Sequence, residues 1–223
     1  MLGGRFKNTL VFGFVPREKT RFCDKDLFAD DLWKYSILKK IKLWYGTPKS
    51  GDENIKDKCV LGIQCEYRDI ATGNKITTEE HCGEKTGDDI EVKEYELKEN
   101  DFFTKFNIDH ESAVTHLKFT TKFGESIEVG KEKEDTKKFI EINSLKDAMI
   151  HSFFGYYNAY GLRALGCKYI LKKDFILINL IGVLRLRHLF KENEKERKKW
   201  EDPDEIKNLP YEMQAVAMLC LLT

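Results

Sequence analysis

The chain has 223 residues, of which 38 are Lys or Arg and 38 are Asp or Glu, so its formal net charge is zero. This length is enough for one domain with a sizeable core, whereas two full domains would be cramped. The balanced charge excludes a chain-wide field that would attract nucleic acid or anionic lipid. We therefore expect no nucleic-acid partner.

Residues 1–30 contain apolar runs of only a few residues, interrupted by charges, and so lack the apolar core of a secretory signal. The sequence has no Asn-x-Ser/Thr sequon and no CxxC motif. Its six cysteines are Cys23, Cys59, Cys65, Cys82, Cys167 and Cys220. We expect reduced thiols in core or loop positions rather than a disulfide framework, and an intracellular protein, cytoplasmic or cytoskeletal.

Residues 1–36 mix charged and aromatic side chains, and we expect them to supply an outer strand and a capping loop. From about residue 37 to 171 the hydrophobic pattern has a period of two, which is typical of strands with one buried face. The clearest case is "LGIQCEYRD", where Leu61, Ile63, Cys65 and Tyr67 alternate with polar residues. The following "ATGNK" supplies a turn.

The second half of this region repeats the pattern. In "THLKFTTKFG", one side carries Leu117, Phe119, Thr121 and Phe123, and the other carries His116, Lys118 and Lys122. We expect "KKFIEINS" and "AMIHSFFG" to form short strands, and "ALGCKYIL" alternates Leu165, Cys167, Tyr169 and Leu171. Many short strands between Gly, Asn and Asp turns predict an antiparallel barrel, sandwich or prism.

After Asp174 the strand period fades, and Pro203 and Pro210 punctuate two predicted helices. The apolar stretch 175–184 is too short for the roughly twenty residues that cross a bilayer, so we expect no transmembrane segment. We predict a C-terminal extension, residues 175–223, in which residues 175–190 pack near the preceding domain. Its final helix should dock on another protein through Met213, Val216, Met218, Leu219 and Leu222.

No catalytic or metal motif stands out. The stretch "GESIEVGK" resembles a phosphate-binding loop, but five residues separate Gly124 from Gly130 where that loop has four, and Glu132 follows the lysine. The five histidines lack metal-binding spacing, and "HCG" is not accompanied by a second closely spaced ligand pair. We therefore expect no enzyme activity, no metal and no cofactor.

Five blocks in the middle of the chain follow one another in a familiar order: "ILKKIKLWYG", "LGIQCEYRD", "EYELKENDFFTKFNI", "VTHLKFTTKFGESIEVG" and "SFFGYYNAYGLRALGCKYI". Their order and spacing resemble those of the jacalin-related lectins over about residues 37–171. The resemblance implies an all-β fold, a β-prism of three four-stranded antiparallel sheets with pseudo-threefold symmetry, formed here by residues 1–174. It also implies a non-enzymatic protein from a family that often binds mannose or galactose without metal.

In sugar-binding relatives the last loop carries Gly-x-x-x-Asp, whose backbone amides and aspartate bind sugar hydroxyls. The resemblance places this motif on Ala159, Tyr160, Gly161, Leu162 and Arg163. Alanine thus replaces the glycine, and arginine, which has donors but no acceptor, replaces the aspartate. A second loop is altered too, because His81, Cys82 and Gly83 put a cysteine where relatives tend to have glycine.

Two interpretations of these loops stay open. The glycines Gly155, Gly161 and Gly166 serve either turns and close packing or a ligand. The tyrosines Tyr156, Tyr157 and Tyr160 form either a stacking platform or a cover over the end of the fold. For Arg163 the alternatives are a surface ion pair and a contact to an acidic partner.

These observations lead to two functional hypotheses. The first is a structural or protein-interaction subunit of a larger intracellular assembly, built on a lectin domain with a degenerate sugar motif. The alternative is a working lectin for mannose-type or galactose-type carbohydrate.

Overall fold

The computed structural model describes residues 6–28, 32–48, 57–70, 73–86, 89–99, 101–132, 139–140, 148–171 and 173–174. Within these ranges the strands are β1 (Lys7–Asn8), β2 (Phe12–Gly13), β3 (Thr20–Cys23), β4 (Ser36–Gly46), β5 (Cys59–Asp69), β6 (Lys75–Thr77), β7 (His81–Cys82), β8 (Glu91–Glu96), β9 (Phe103–His110), β10 (Val114–Thr121), β11 (Ser126–Val129), β12 (Phe139–Ile140), β13 (Ala148–Asn158) and β14 (Gly161–Leu171). Two short 3-10 helices, Asp24–Leu27 and Leu32–Tyr35, lie between β3 and β4.

The strands form three antiparallel sheets. Sheet A has the order β1-β14-β13-β3, with β2 also paired to β14; sheet B has the order β6-β5-β4-β8, with β7 also paired to β5; sheet C has the order β11-β10-β9-β12. Because β1 and β2 pair with successive parts of β14, and β6 and β7 with successive parts of β5, each pair acts as one interrupted strand. Counted so, each sheet has four strands, which confirms the predicted prism.

The core lies between the three sheets. Leu61 of β5 is buried in a separate, smaller cluster with Trp44, whereas the other alternating residues predicted on this strand, Ile63, Cys65 and Tyr67, are buried in the core itself. Aromatic rings from the other two sheets meet there, since Phe119 of sheet C lies with its ring centroid 5.2 Å from that of Phe153 in sheet A. Edge-to-face packing of this kind lets one aromatic side chain fill space between two sheets.

Two residues of β10 and its turn depart from the predicted pattern. His116, expected on the polar side, is completely buried, with its ring nitrogens 3.5 Å from Asp109 and 3.0 Å from Glu128. Phe123, expected beside Leu117, is exposed because β10 ends at Thr121 and the turn that follows carries the phenyl ring outward. The alternation therefore fails at two places. At His116, the carboxylates of Asp109 and Glu128 take the place of solvent around the ring, and after Thr121 the strand ends.

The N-terminal residues complete sheet A, which confirms the predicted outer strand. β1 and β2 lie along one side of the last hairpin, and β3 lies along the other. The five cysteines within the described residues are free thiols. In the described part of the chain, no helix has the length and apolar character needed to span a membrane.

The predicted extension, residues 175–223, lies outside the described residues, and with it the boundary at residue 174. The predicted docking residues Met213, Val216, Met218, Leu219 and Leu222 lie outside them as well. Both remain predictions.

Candidate functional site

The hairpin between β13 and β14 carries the first predicted loop. Ala159 and Tyr160 form a two-residue turn between the paired residues Asn158 and Gly161. The side chain of Asn158 accepts a hydrogen bond from the Tyr160 amide (3.1 Å), which tightens the turn. Gly161 has φ +132°, and a Cβ there would lie 2.9 Å from the Val60 carbonyl oxygen, so glycine is required for the fold at this position.

The second predicted loop lies directly against this hairpin. His81 and Cys82 form β7, and Gly83 follows them. A Cβ on Gly83 would come within 2.5 Å of the Gly161 nitrogen, so the two backbones are in contact. The amide of Glu84 donates a hydrogen bond of 2.8 Å to the Ala159 carbonyl oxygen. The structure thus brings together the two loops that the sequence singled out.

Backbone donors at this junction are engaged within the protein. The Tyr160 amide donates to Asn158, the Gly83 amide donates to Leu61 (2.9 Å), and the Glu84 amide donates to the hairpin. A sugar hydroxyl could take one of these amides only by displacing an existing bond, and an exchange of hydrogen bonds yields little net free energy. The junction is therefore closed at these three amides.

Arg163 does not project from a surface loop. It falls at a register shift of the β13–β14 pair, between the paired residues Leu162 and Ala164. Its side chain is only 2% exposed, and the guanidinium carbon lies 5.7 Å from the ring centroid of Phe14. The Phe14 amide also donates to the Arg163 carbonyl oxygen (3.1 Å). Both alternatives for Arg163 had assumed a surface position, whereas the bulge and the N-terminal segment bury this arginine.

Leu162, another β14 member of the predicted motif, is fully buried and packs in the central core. Of the five predicted motif residues, only Ala159 and Tyr160 lie in the turn itself, while Gly161, Leu162 and Arg163 belong to β14. The motif is thus mostly strand, and the side chains of Leu162 and Arg163 are buried in the interior, whereas Ala159 is exposed.

Two of the three predicted tyrosines, Tyr156 and Tyr157, lie in different environments. Tyr157 packs against the central core, with its ring centroid 6.2 Å from that of Phe22 and 6.0 Å from that of His81. Tyr156 lies under the ammonium group of Lys19, which is 5.1 Å from the ring centroid. Tyr157 therefore covers the core. One face of the Tyr156 ring is already occupied by Lys19 of the same chain.

A buried carboxylate beneath the two loops is a feature that the sequence analysis missed. Asp24 is 1% exposed and accepts hydrogen bonds from the Tyr67 hydroxyl and from the Phe153 amide (3.1 Å). The Nε2 atom of His81 lies 3.3 Å from its other oxygen. Burial, and then the Asp24 charge, raises the pKa of the Tyr67 hydroxyl well above its usual value. Asp24 thus ties sheet A to sheet B and fixes the first residue of the second loop.

Among the described residues, no three His, Cys, Asp or Glu side chains are grouped to hold a metal ion. The three sheets and the paired loops at one end define a β-prism protein of lectin type. The family model for the Jacalin-like lectin domain matches residues 32–168, and the chain belongs to that family.

Solved structures with the same fold include artocarpin in a complex with mannotriose, which is 16% identical, with a TM-score of 0.52 over 75% of this chain and 99% of that chain. Malaysian banana lectin is 14% identical, with a TM-score of 0.51 over 74% of this chain and 98% of that chain. Frutapin, a lectin from Artocarpus incisa, is 15% identical, with a TM-score of 0.50 over 75% of this chain and 98% of that chain. No curated protein sequence matches the chain. At these identities the structural likeness concerns the fold alone.

Proposed function

We propose that this chain is a non-enzymatic jacalin-like domain that acts as a structural, protein-binding subunit and does not bind sugar at its last loop. The observation that carries the proposal is the burial of Arg163, which stands where the resemblance expects a sugar-binding aspartate. A guanidinium cannot accept a hydrogen bond from a hydroxyl, and here it is withdrawn from solvent as well.

The closed junction supports the same conclusion. The contact between Gly83 and Gly161 leaves no space for a Cβ, and the amides of Glu84 and Tyr160 are used within the protein. A binding pocket needs polar groups that converge on a ligand rather than on each other.

A glycan array with the full-length chain tests the sugar part of the proposal. We expect no glycan to give binding that free sugar competes away. The alternative, a working lectin, draws support from family membership and from the similarity to artocarpin, whose structure contains mannotriose. Reproducible, competable binding to a mannose-type or galactose-type glycan would establish that alternative and refute ours.

The protein-binding part concerns other chains of an assembly, docked through Met213, Val216, Met218, Leu219 and Leu222. The free thiols of the described residues support an intracellular setting for this assembly. Affinity capture with the full chain should recover defined partners in fixed proportions, and Leu219→Asp with Leu222→Asp should abolish their recovery. Equal recovery of partners with the wild type and with this variant would show that Leu219 and Leu222 do not take part in docking.

A further inference from the structure

An apolar stretch along the edge of sheet A is left exposed by the described residues. We call residues 7–15 the N-terminal strap. Three of the six large exposed hydrophobic side chains of the described structure belong to it: Leu10 is 76% exposed, Phe14 49% and Val15 43%. Contiguous exposed apolar surface on a soluble domain marks a place where something docks.

The strap runs antiparallel to β14, the last described strand. Lys7 and Asn8 pair with Tyr169 and Lys168, and the Phe14 amide bonds to Arg163 at the far end. Its outer side is an edge of the sheet, because β1 ends the strand order. An edge of this kind is stable in solution when it is covered or charged, and "LVFGFV" at residues 10–15 contains no charged residue.

The chain itself continues from the strand beside the strap. β14 ends at Leu171, and Leu10 lies next to Gly166, five residues back along the same strand, a distance of about 17 Å. The stretch 175–184, "FILINLIGVL", begins four residues after Leu171 and contains no charged residue. As a helix, residues 175–190 would be about 24 Å long, enough to pass Leu10 and approach Phe14.

We infer that residues 175–190 of the same chain pack on the N-terminal strap, with the uncharged part 175–184 over Leu10 and the remainder reaching Phe14 and Val15. The covalent connection through residues 172–174 favours this segment over a second copy of the chain or a foreign protein as the group that covers the strap. A segment joined by a few residues has an effective concentration on the order of millimolar, above that of a separate partner in solution. Residues 10–15 of the strap and residues 175–184 are both uncharged and mostly apolar, so a contact between them would remove apolar surface of both from water.

Hydrogen–deuterium exchange on the full chain tests this inference. The test variant is Leu177→Asp with Leu180→Asp, and the matched control is Leu219→Asp with Leu222→Asp, which adds the same charge to the final apolar cluster. We expect amides of residues 9–15 to exchange about tenfold faster in the test variant and at the wild-type rate in the control. Exchange in β10 should be the same in all three chains, which shows that the fold is intact.

The reciprocal variant Leu10→Gln decides the matter if the test variant fails to fold. Because Leu10 is mostly exposed, this change leaves the core intact, and we expect it to accelerate exchange in residues 175–184. Strap exchange that is equal in the wild type and the test variant would overturn the inference. Strap protection that rises with protein concentration, together with a mass near twice 26.1 kDa in light scattering, would overturn it in favour of a second copy.

Discussion

His151 is predicted to make the stability of this domain depend on pH. Its ring is buried, with centroids 4.8 Å from Phe6 and 5.5 Å from Trp33, and its Nε2–H donates to the Ser36 carbonyl oxygen (3.0 Å). The pKa of His151 is lowered from 6.5 to about 4, chiefly by burial; the hydrogen bond to Ser36 opposes this shift, and the nearby Lys168 cation contributes to it. The folded protein therefore holds this histidine neutral.

The sign follows from proton binding. Between pH 6.5 and about 4 the unfolded chain binds a proton at position 151 and the folded chain does not, so the free energy of unfolding falls as the pH falls through this window. At about 1.4 kcal/mol per pKa unit, the full loss is about 3 kcal/mol. By pH 4.5 the loss should be about 2 kcal/mol relative to pH 7.

The assay is urea unfolding of the wild type and of His151→Gln at pH 7 and pH 4.5. Glutamine does not titrate, and its amide can still donate to the Ser36 carbonyl oxygen. We expect the wild type to lose about 2 kcal/mol more than the variant between the two pH values, because the other titrating groups are common to both chains. Equal losses would refute the claim that a buried neutral His151 controls stability in this range.

Three further predictions concern the buried carboxylate of Asp24, the contact of Gly83 with the β13–β14 hairpin, and residues 208–223. Asp24→Ala leaves two buried donors and His81 without their acceptor, so it should lower the free energy of unfolding by about 3 kcal/mol in urea titrations; Asp26→Ala, at an exposed carboxylate, should change it by less than about 0.5 kcal/mol. Gly83→Ala places a methyl group against the β13–β14 hairpin and should cost about 1–3 kcal/mol in the same assay; a change near zero would show that the loops are further apart. Deletion of residues 208–223 should leave the thermal melt nearly unchanged while abolishing partner recovery, and a fall of more than about 10 °C would place the final segment in the domain core.

Sequence reasoning succeeded where a single strand determines the outcome. The burial of Ile63, Cys65 and Tyr67 follows from alternation along β5, because successive side chains point to opposite faces. Alternation does not explain Leu61, because its neighbours Val60 and Gly62 are buried as well. The resemblance of the ordered blocks to the jacalin-related lectins then implied the prism. Both signals are local or sequential, so they can be recognised without knowing which strands are neighbours.

The parts that escaped prediction depend on contacts between distant residues. Asp24 meets Tyr67 43 positions away, His81 57 positions away and Phe153 129 positions away. Nothing in "FCDKDLF" distinguishes this buried aspartate from its exposed neighbour Asp26. Arg163 was expected at the surface, but a bulge and a segment 149 positions away, at Phe14, bury it.

The central claim is that the last loop of this jacalin-like domain does not bind sugar. Ligand-observed NMR of the full-length chain with mannotriose, and separately with galactose, tests it most directly at up to about 10 mM sugar, a range that would reveal even millimolar binding. We expect no saturable transfer of magnetisation to either sugar. Saturable transfer that free sugar competes away and that Gly83→Ala abolishes would contradict the account and place a working lectin site at the junction of the two loops.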